Sequence, residues 1–101
     1  MKPSPSGEDE HHRPLTRDVA VTNKQGIHAR PAALFVKTAA KFESEIGIEK
    51  EGEAVNGKSI IGLLMLAAGQ GTKLTLTAQG QDAEKALAEL AKLFEDKFNE
   101  D

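Results

Sequence analysis

The sequence contains no cysteine, tryptophan or tyrosine, and its aromatic side chains are four phenylalanines. Without cysteine, the chain cannot form disulfides, thiolate zinc sites or a thiol nucleophile. The few aromatic residues and the net charge of −3 argue against a nucleic-acid binder, which needs stacking platforms and a basic surface. No apolar run approaches the roughly 18 residues of a membrane span, so we expect no membrane insertion and a cytoplasmic location.

The length of 101 residues suits one domain with one core. Residues 1–14 are rich in proline, serine, glycine and acidic side chains, and we predict that they form a disordered leader before a domain spanning residues 15–101. The adjacent pair His11 and His12 lies in this leader without a spaced third ligand. We therefore expect no metal site there.

The periodicity of apolar residues predicts seven elements in the order β-α-β-β-α-β-α. Leu15 to Val21 alternate as a strand with one largely covered face, and a helix should run from Ala29 to about Phe42. Two short strands around residues 46–48 and 54–55 suggest a hairpin. A short apolar helix should follow Ser59 as its N-cap, and a fourth strand should span residues 74–78.

The last predicted helix follows Asp82, whose side chain we expect to cap it, and it precedes a charged tail from Glu95 to Asp101. This order indicates an α+β domain in which helices cover one face of a mainly antiparallel sheet.

The stretch Gly26-Ile27-His28-Ala29-Arg30-Pro31 places a histidine and a cation at a predicted helix start. Gly26 allows a sharp turn, and Pro31 has the backbone angle of a first helical turn. His28 should therefore lie at or beside the N-cap, where free backbone N–H groups and the positive helix end bind anions. A neutral imidazole there offers a nucleophilic nitrogen for phosphoryl chemistry, with Arg30 as a fixed cation. From this fragment alone, an ordinary surface histidine is an equally good interpretation.

The segment after Ser59 has more apolar residues than one buried stripe of a short helix can hold. We expect some of Ile60, Ile61, Leu63, Leu64, Met65 and Leu66 to be exposed. A contiguous exposed apolar patch indicates a docking surface for a partner, although a crowded core edge would give the same pattern.

Three segments in order resemble the HPr family, the histidine-containing phosphocarriers of the bacterial phosphoenolpyruvate-dependent phosphotransferase system. They are GIHARPA from Gly26, VNGKSIIGL from Val55 and GQDA from Gly80. The similarity extends from about Arg17 to Phe94. It implies an open-faced β-sandwich, with a four-stranded antiparallel sheet covered on one face by three helices.

The resemblance also implies roles for individual residues. His28 matches the histidine that takes a phosphoryl group on Nδ1 from phospho-enzyme I and passes it to IIA-type domains for sugar uptake. Arg30 matches the arginine that contacts the phosphate, while Pro31 matches the proline that shapes the helix start. Ser59 matches the serine that HPr kinase/phosphorylase modifies in some bacteria. Partner docking falls on Ala33, Ile60, Ile61 and Leu64.

The implied protein is a monomeric carrier without a cofactor and does not turn over a substrate of its own. Two alternatives remain open at this point. One is the nitrogen-branch phosphocarrier, which uses the same histidine with other partners. The other is a regulatory docking module controlled through Ser59, although such a module would not need the nucleophile His28.

Overall fold

The computed structural model describes residues 13–100, so most of the predicted leader, including His11 and His12, lies outside the described residues. The strands within these residues are β1 (Leu15–Ala20), β2 (Glu45–Lys50), β3 (Glu53–Asn56) and β4 (Lys73–Gln79). They form one sheet in the order β1-β4-β2-β3, and every neighbouring pair is antiparallel. The helices are α1 (Ala29–Ala39), α2 (Ile60–Met65) and α3 (Ala83–Glu95), followed by a short 3₁₀ turn, Lys97–Asn99.

The core lies between one face of the sheet and the helices. Ile46 and Ile48 of β2 are buried with Leu74 and Leu76 of β4, while alternate residues of these strands are exposed or half-buried. Phe35 of α1 and Phe94 of α3 meet over this face with their rings edge to face. The predicted open-faced α+β sandwich is confirmed.

The hairpin between β2 and β3 turns on two residues with positive φ, Glu51 at 51° and Gly52 at 86°. Two-residue hairpin turns with positive φ at both central positions match the right-handed twist of the flanking strands. The predicted hairpin is therefore present, although β3 extends over Glu53–Asn56 and is longer than expected.

Two predictions, the end of α1 and the covered face of β1, are wrong in part. α1 ends at Ala39 and not near Phe42, because the N–H groups of Lys41 and Phe42 bond to carbonyls three residues back in place of four. β1 has no continuous covered face, since all its residues except the half-buried Val19 are exposed. β1 is an edge strand that pairs only with β4, and full burial begins after it, at Val21.

Asp82 does not cap α3 with its side chain, contrary to the sequence prediction. Its carboxylate accepts hydrogen bonds from the backbone N–H groups of Glu43 (2.9 Å) and Ser44 (3.0 Å) and from the Ser44 hydroxyl. These N–H groups lie between α1 and β2, where a long-range acceptor satisfies them. The hydrogen bonds, first that of the Ser44 hydroxyl and then that of the Glu43 N–H, hold the pKa of Asp82 below its ordinary value of 3.8.

We expect Asp82→Asn to lower the free energy of unfolding most above about pH 5, where the Asp82 carboxylate is charged in both states. Because folding lowers the pKa of Asp82, its stabilising contribution is complete above the unfolded pKa and is lost as the pH falls through the folded pKa. Urea unfolding at a series of pH values checks this. Asp96→Asn, at a partly exposed carboxylate paired with Lys92, is the control, and equal pH dependence of the two variants would contradict the account.

Candidate functional site

The loop before α1 positions His28. Gly26 has a φ of 72° and lies against the backbone of Ala68, whose carbonyl accepts the N–H of Ile27 at 2.9 Å. His28 then donates its own N–H to the Gly26 carbonyl at 3.1 Å and serves as the N-cap of α1. The predicted helix start at Ala29 is confirmed.

The first turn of α1 leaves donors free for an anion. The side chain of His28 makes no capping bond, and the turn contains no acidic residue. Pro31 has no N–H, and the first helical bond runs from Ala32 to the His28 carbonyl at 3.0 Å. The N–H groups of Ala29 and Arg30 therefore face outward at the positive end of the helix.

An open cleft of about 480 Å³ lies beside this helix end. It is lined by Lys24, Gln25, His28, Arg30, Asn99 and Glu100. Arg30 is exposed, and the side chain of His28 retains 35% of its exposure. The structure thus brings together the two predicted site residues, an imidazole and a guanidinium, in a space that a phosphate and a partner protein can reach.

Glu100 was not predicted as a site residue and belongs to the segment that was predicted as a charged tail. The Nε2 atom of His28 lies 2.8 Å from Oε2 of Glu100, and Oε1 of Glu100 accepts a hydrogen bond from Asn23 at 3.0 Å. The only signal in the sequence is Phe98, an apolar residue among charged ones. It is buried and packs edge to face on Phe94, with ring centroids 4.8 Å apart.

Ser59 is the N-cap of α2, as predicted. Its hydroxyl accepts the N–H of Gly62 at 3.0 Å, and its carbonyl accepts that of Leu63 at 3.1 Å. The side chain is half-buried at the edge of the helix. The structure confirms the capping role and does not test phosphorylation.

An apolar patch on α2, formed by Ile60, Ile61, Leu64 and Met65, is open to solvent. Ile61 is 71% exposed and Met65 75%, whereas Leu63 and Leu66 are buried in the core. Ala33 is exposed on the neighbouring helix α1. The prediction that this segment has more apolar residues than it can bury is confirmed.

Residues 13–100 contain neither a metal-binding cluster nor a membrane-spanning helix. No group of three or more histidine, cysteine, aspartate or glutamate side chains there could hold a metal ion. Within the same residues, no helix has the length and apolar character needed to cross a lipid bilayer.

Comparison with known proteins places residues 15–96 in one family. The profile of the PTS HPr component phosphorylation site matches residues 15–96. The phosphocarrier protein HPr of Xylella fastidiosa is 45% identical over 87 residues, which cover 86% of this chain and 98% of that protein.

Solved structures give the same result. The HPr structure from Thermoanaerobacter tengcongensis has a TM-score of 0.83 at 47% identity and covers 86% of this chain and 98% of its own. The catabolite repression protein Crh of Bacillus subtilis, described as a dimer with a swapped domain, has a TM-score of 0.67 at 47% identity over 82% of this chain and 95% of its own. The chain belongs to the HPr family of phosphocarrier proteins of the phosphotransferase system.

Proposed function

We propose that His28 accepts a phosphoryl group on Nδ1 from phospho-enzyme I and passes it to IIA-type domains in sugar uptake. The observation that carries this proposal is an exposed imidazole at the N-cap of α1, next to free N–H groups and a guanidinium. Phosphoryl transfer depends mainly on positioning and charge stabilisation. A partner that brings a reactive phosphate can therefore use this small site without a resident cofactor.

The exposure of the site supports a carrier that passes its phosphoryl group to partners. A phosphohistidine enclosed in a single-chain active site could not reach successive partners, whereas the cleft beside His28 is open. We propose a monomer as the working unit in the cytoplasm, because the imidazole, the guanidinium and the free N–H groups all lie at the start of one helix. Gel filtration combined with light scattering tests the monomer, and a dimer at assay concentration would contradict it.

The function is tested by incubating the full chain with phosphoenolpyruvate and purified enzyme I from the sugar branch and, in parallel, from the nitrogen branch. We expect one acid-labile, base-stable phosphate per chain, formed faster with the sugar-branch enzyme. Faster transfer from the nitrogen-branch enzyme would favour the nitrogen-branch carrier. Failure of both enzymes to transfer phosphate would favour the regulatory docking module.

Arg30→Ala should slow phosphoryl transfer with little effect on folding. The guanidinium is exposed and lines the cleft, so it can stabilise the phosphate without supporting the core. Removing one charged donor from a transfer site lowers rates by about 10²-fold. Rapid-quench transfer from phospho-enzyme I and thermal unfolding measure both effects. Lys37→Ala, an exposed cation in the last turn of the same helix, is the control, and an unchanged rate in Arg30→Ala would remove Arg30 from the mechanism.

We also propose that the apolar patch, with Ala33, docks the partners and that Ser59 is a regulatory phosphorylation site for an HPr kinase/phosphorylase. Ser59 immediately precedes the patch, so a phosphate there would add roughly two negative charges beside it. Charge placed at the rim of an interface weakens association with a partner that is itself acidic there.

Ser59→Glu should raise the KM of enzyme I for this chain by about tenfold through that added charge. Ser59→Ala is the matched control, because both variants lose the hydroxyl cap, worth about 1 kcal/mol, and only one gains a charge. Steady-state transfer kinetics measure the difference. The same KM for the two variants would contradict a charge-based switch.

A further inference from the structure

We infer that Lys50, the last residue of β2, is a positioning residue of the docking surface, because it holds the C-terminal end of α2. The inference deepens the proposed docking of partners on the apolar patch of α2 and rests on it. Lys50 is not part of the patch. It acts on the patch through the backbone of the helix.

The helix α2 is too short to be stable by itself. It has six residues, Ile60–Met65, whereas isolated helices shorter than about 12–15 residues are marginal in water. Within α2 only Leu63 is buried, and Leu66, its C-cap, is the next buried residue. The exposed side chains of the patch add no burial, so contacts at the two ends are needed to hold the helix in place.

The two ends of α2 are held differently. Ser59 caps the N-terminal end with its hydroxyl. The last turn has no basic residue to offset the negative helix end. The N–H of Leu66 bonds to the Leu63 carbonyl at 3.2 Å, and that of Ala67 bonds to the Leu64 carbonyl at 3.1 Å. The carbonyls of Leu66 and Ala67 lie at the end of the helix and need a donor from elsewhere in the fold.

Lys50 supplies this donor. Its Nζ atom donates to the Leu66 carbonyl at 2.9 Å and lies 3.5 Å from the carbonyl oxygen of Ala67. Lys50 follows the buried Ile46 and Ile48 at a spacing of two residues, so its side chain leaves the sheet on the face that the helices cover. The residue is half-buried. A cation stabilises the negative end of a helix, and the effect is largest where the cation is partly buried.

The backbone at this helix end is strained. Ala67 has a φ of 52°, in the left-handed region. Glycine is usual at this position after the C-cap, because a Cβ atom disfavours the conformation. Alanine therefore favours opening of the end of α2, and the bonds from Lys50 oppose that opening. Lys50 thereby keeps Leu66 in the core and the patch in place on the surface.

Lys50→Met keeps the apolar stem of the side chain and removes the ammonium. We expect the amides of Leu66 and Ala67 to exchange their hydrogens about tenfold faster, the factor that corresponds to one hydrogen bond from a charged group. The KM of enzyme I for this chain should rise about two- to threefold, because apparent affinity falls only in proportion to the closed fraction of α2. The kcat should stay unchanged, since His28 and Arg30 lie at the start of α1.

Lys41→Met is the matched control. The Nζ atom of Lys41 lies 2.9 Å from Oε1 of Glu89 in α3, the same distance as in the bond from Lys50 to Leu66. This variant loses the same charge and a contact of the same length, but the contact does not involve α2. Exchange of the α2 amides and KM should therefore both stay at the values of the original chain.

Two rescue variants separate positioning from a direct contact between Lys50 and enzyme I. Lys50→Arg keeps a cation at the end of β2 and should restore both the exchange rate and KM. Ala67→Gly, added to Lys50→Met, removes the left-handed strain without adding a charge, and it should also bring KM back towards the original value. Rescue by arginine and not by glycine would mean that the cation itself contacts enzyme I, which would overturn the inference.

Unchanged exchange of the α2 amides in Lys50→Met would also overturn the inference, and so would faster exchange with an unchanged KM. Because hydrogen exchange is measured on the free protein without phosphate, the two proposals fail separately. Faster exchange in a chain that never accepts phosphate would sink the proposed function and leave the hold of Lys50 on α2 intact.

Discussion

His28→Ala should take up no phosphate from phosphoenolpyruvate and enzyme I, the largest effect expected of any single substitution in this chain. His28 supplies the only imidazole at the α1 helix end within residues 13–100, and no other side chain lining the cleft has a comparable neutral nucleophile. Its side chain is partly exposed and does not cap the helix. The free energy of unfolding should therefore change by no more than about 1 kcal/mol, the worth of its bond to Glu100.

The control uses the other histidines of the chain. The sequence contains three, and His11 and His12 can be replaced together with alanine. This double variant should accept phosphate at the rate of the original chain. Acid-labile phosphate on His28→Ala would show that the reactive residue lies elsewhere and would end the assignment.

Gly26→Ala should lower the free energy of unfolding by about 2–4 kcal/mol, the largest stability effect that we expect. A Cβ atom at Gly26 would come within 2.8 Å of the Gly69 Cα and closer still to the Ala68 carbonyl oxygen. That carbonyl cannot easily move away from the added Cβ, because it accepts a hydrogen bond from the N–H of Ile27. The φ of 72° adds backbone strain.

The melting temperature should fall by about 10–25 °C in a domain of this size. Gly52→Ala is the matched control, since Gly52 has a φ of 86° but nothing within 4 Å of an added Cβ. It should cost only the conformational strain, about 1 kcal/mol. Equal losses of unfolding free energy in the two variants would mean that contact with the Ala68 loop does not position the start of α1.

The pattern of apolar residues was sufficient to predict the element order, and the residue types around His28 were sufficient to predict the helix start. Leu74, Leu76 and Ala78 alternate as a half-covered strand requires, and they are the buried residues of β4. Gly26 and Pro31 carry backbone preferences that act within one turn, so the helix start at Ala29 needed no tertiary information. Ser59 was predicted as an N-cap for the same reason, and its hydroxyl makes that bond.

The errors at Asp82 and β1 concern contacts between distant parts of the chain. Asp82 is the N-cap residue of α3 by position, but its carboxylate bonds to Glu43 and Ser44, which are 39 and 38 residues away in sequence. Local propensity predicts a cap at such a residue and contains no information about which N–H groups the fold brings close. The exposure of β1 was not predicted for the same reason. A strand lies at the edge because of how the strands pair in the sheet, and the local sequence of β1 does not determine that pairing.

Glu100 is the residue of the cleft that sequence reasoning could not find. It lies 72 residues from His28, in a tail whose composition predicts solvation. The backbone that brings it to the site uses left-handed angles at Lys97 and Phe98, which their side chains disfavour. Tertiary burial of Phe98 outweighs that local preference.

The most direct test of the central claim is phosphorus–nitrogen coupling in isotope-labelled protein after incubation with phosphoenolpyruvate and enzyme I. The account predicts one phosphate per chain, coupled to Nδ1 of His28. A phosphate coupled to Nε2, or carried by any residue other than His28, would contradict it.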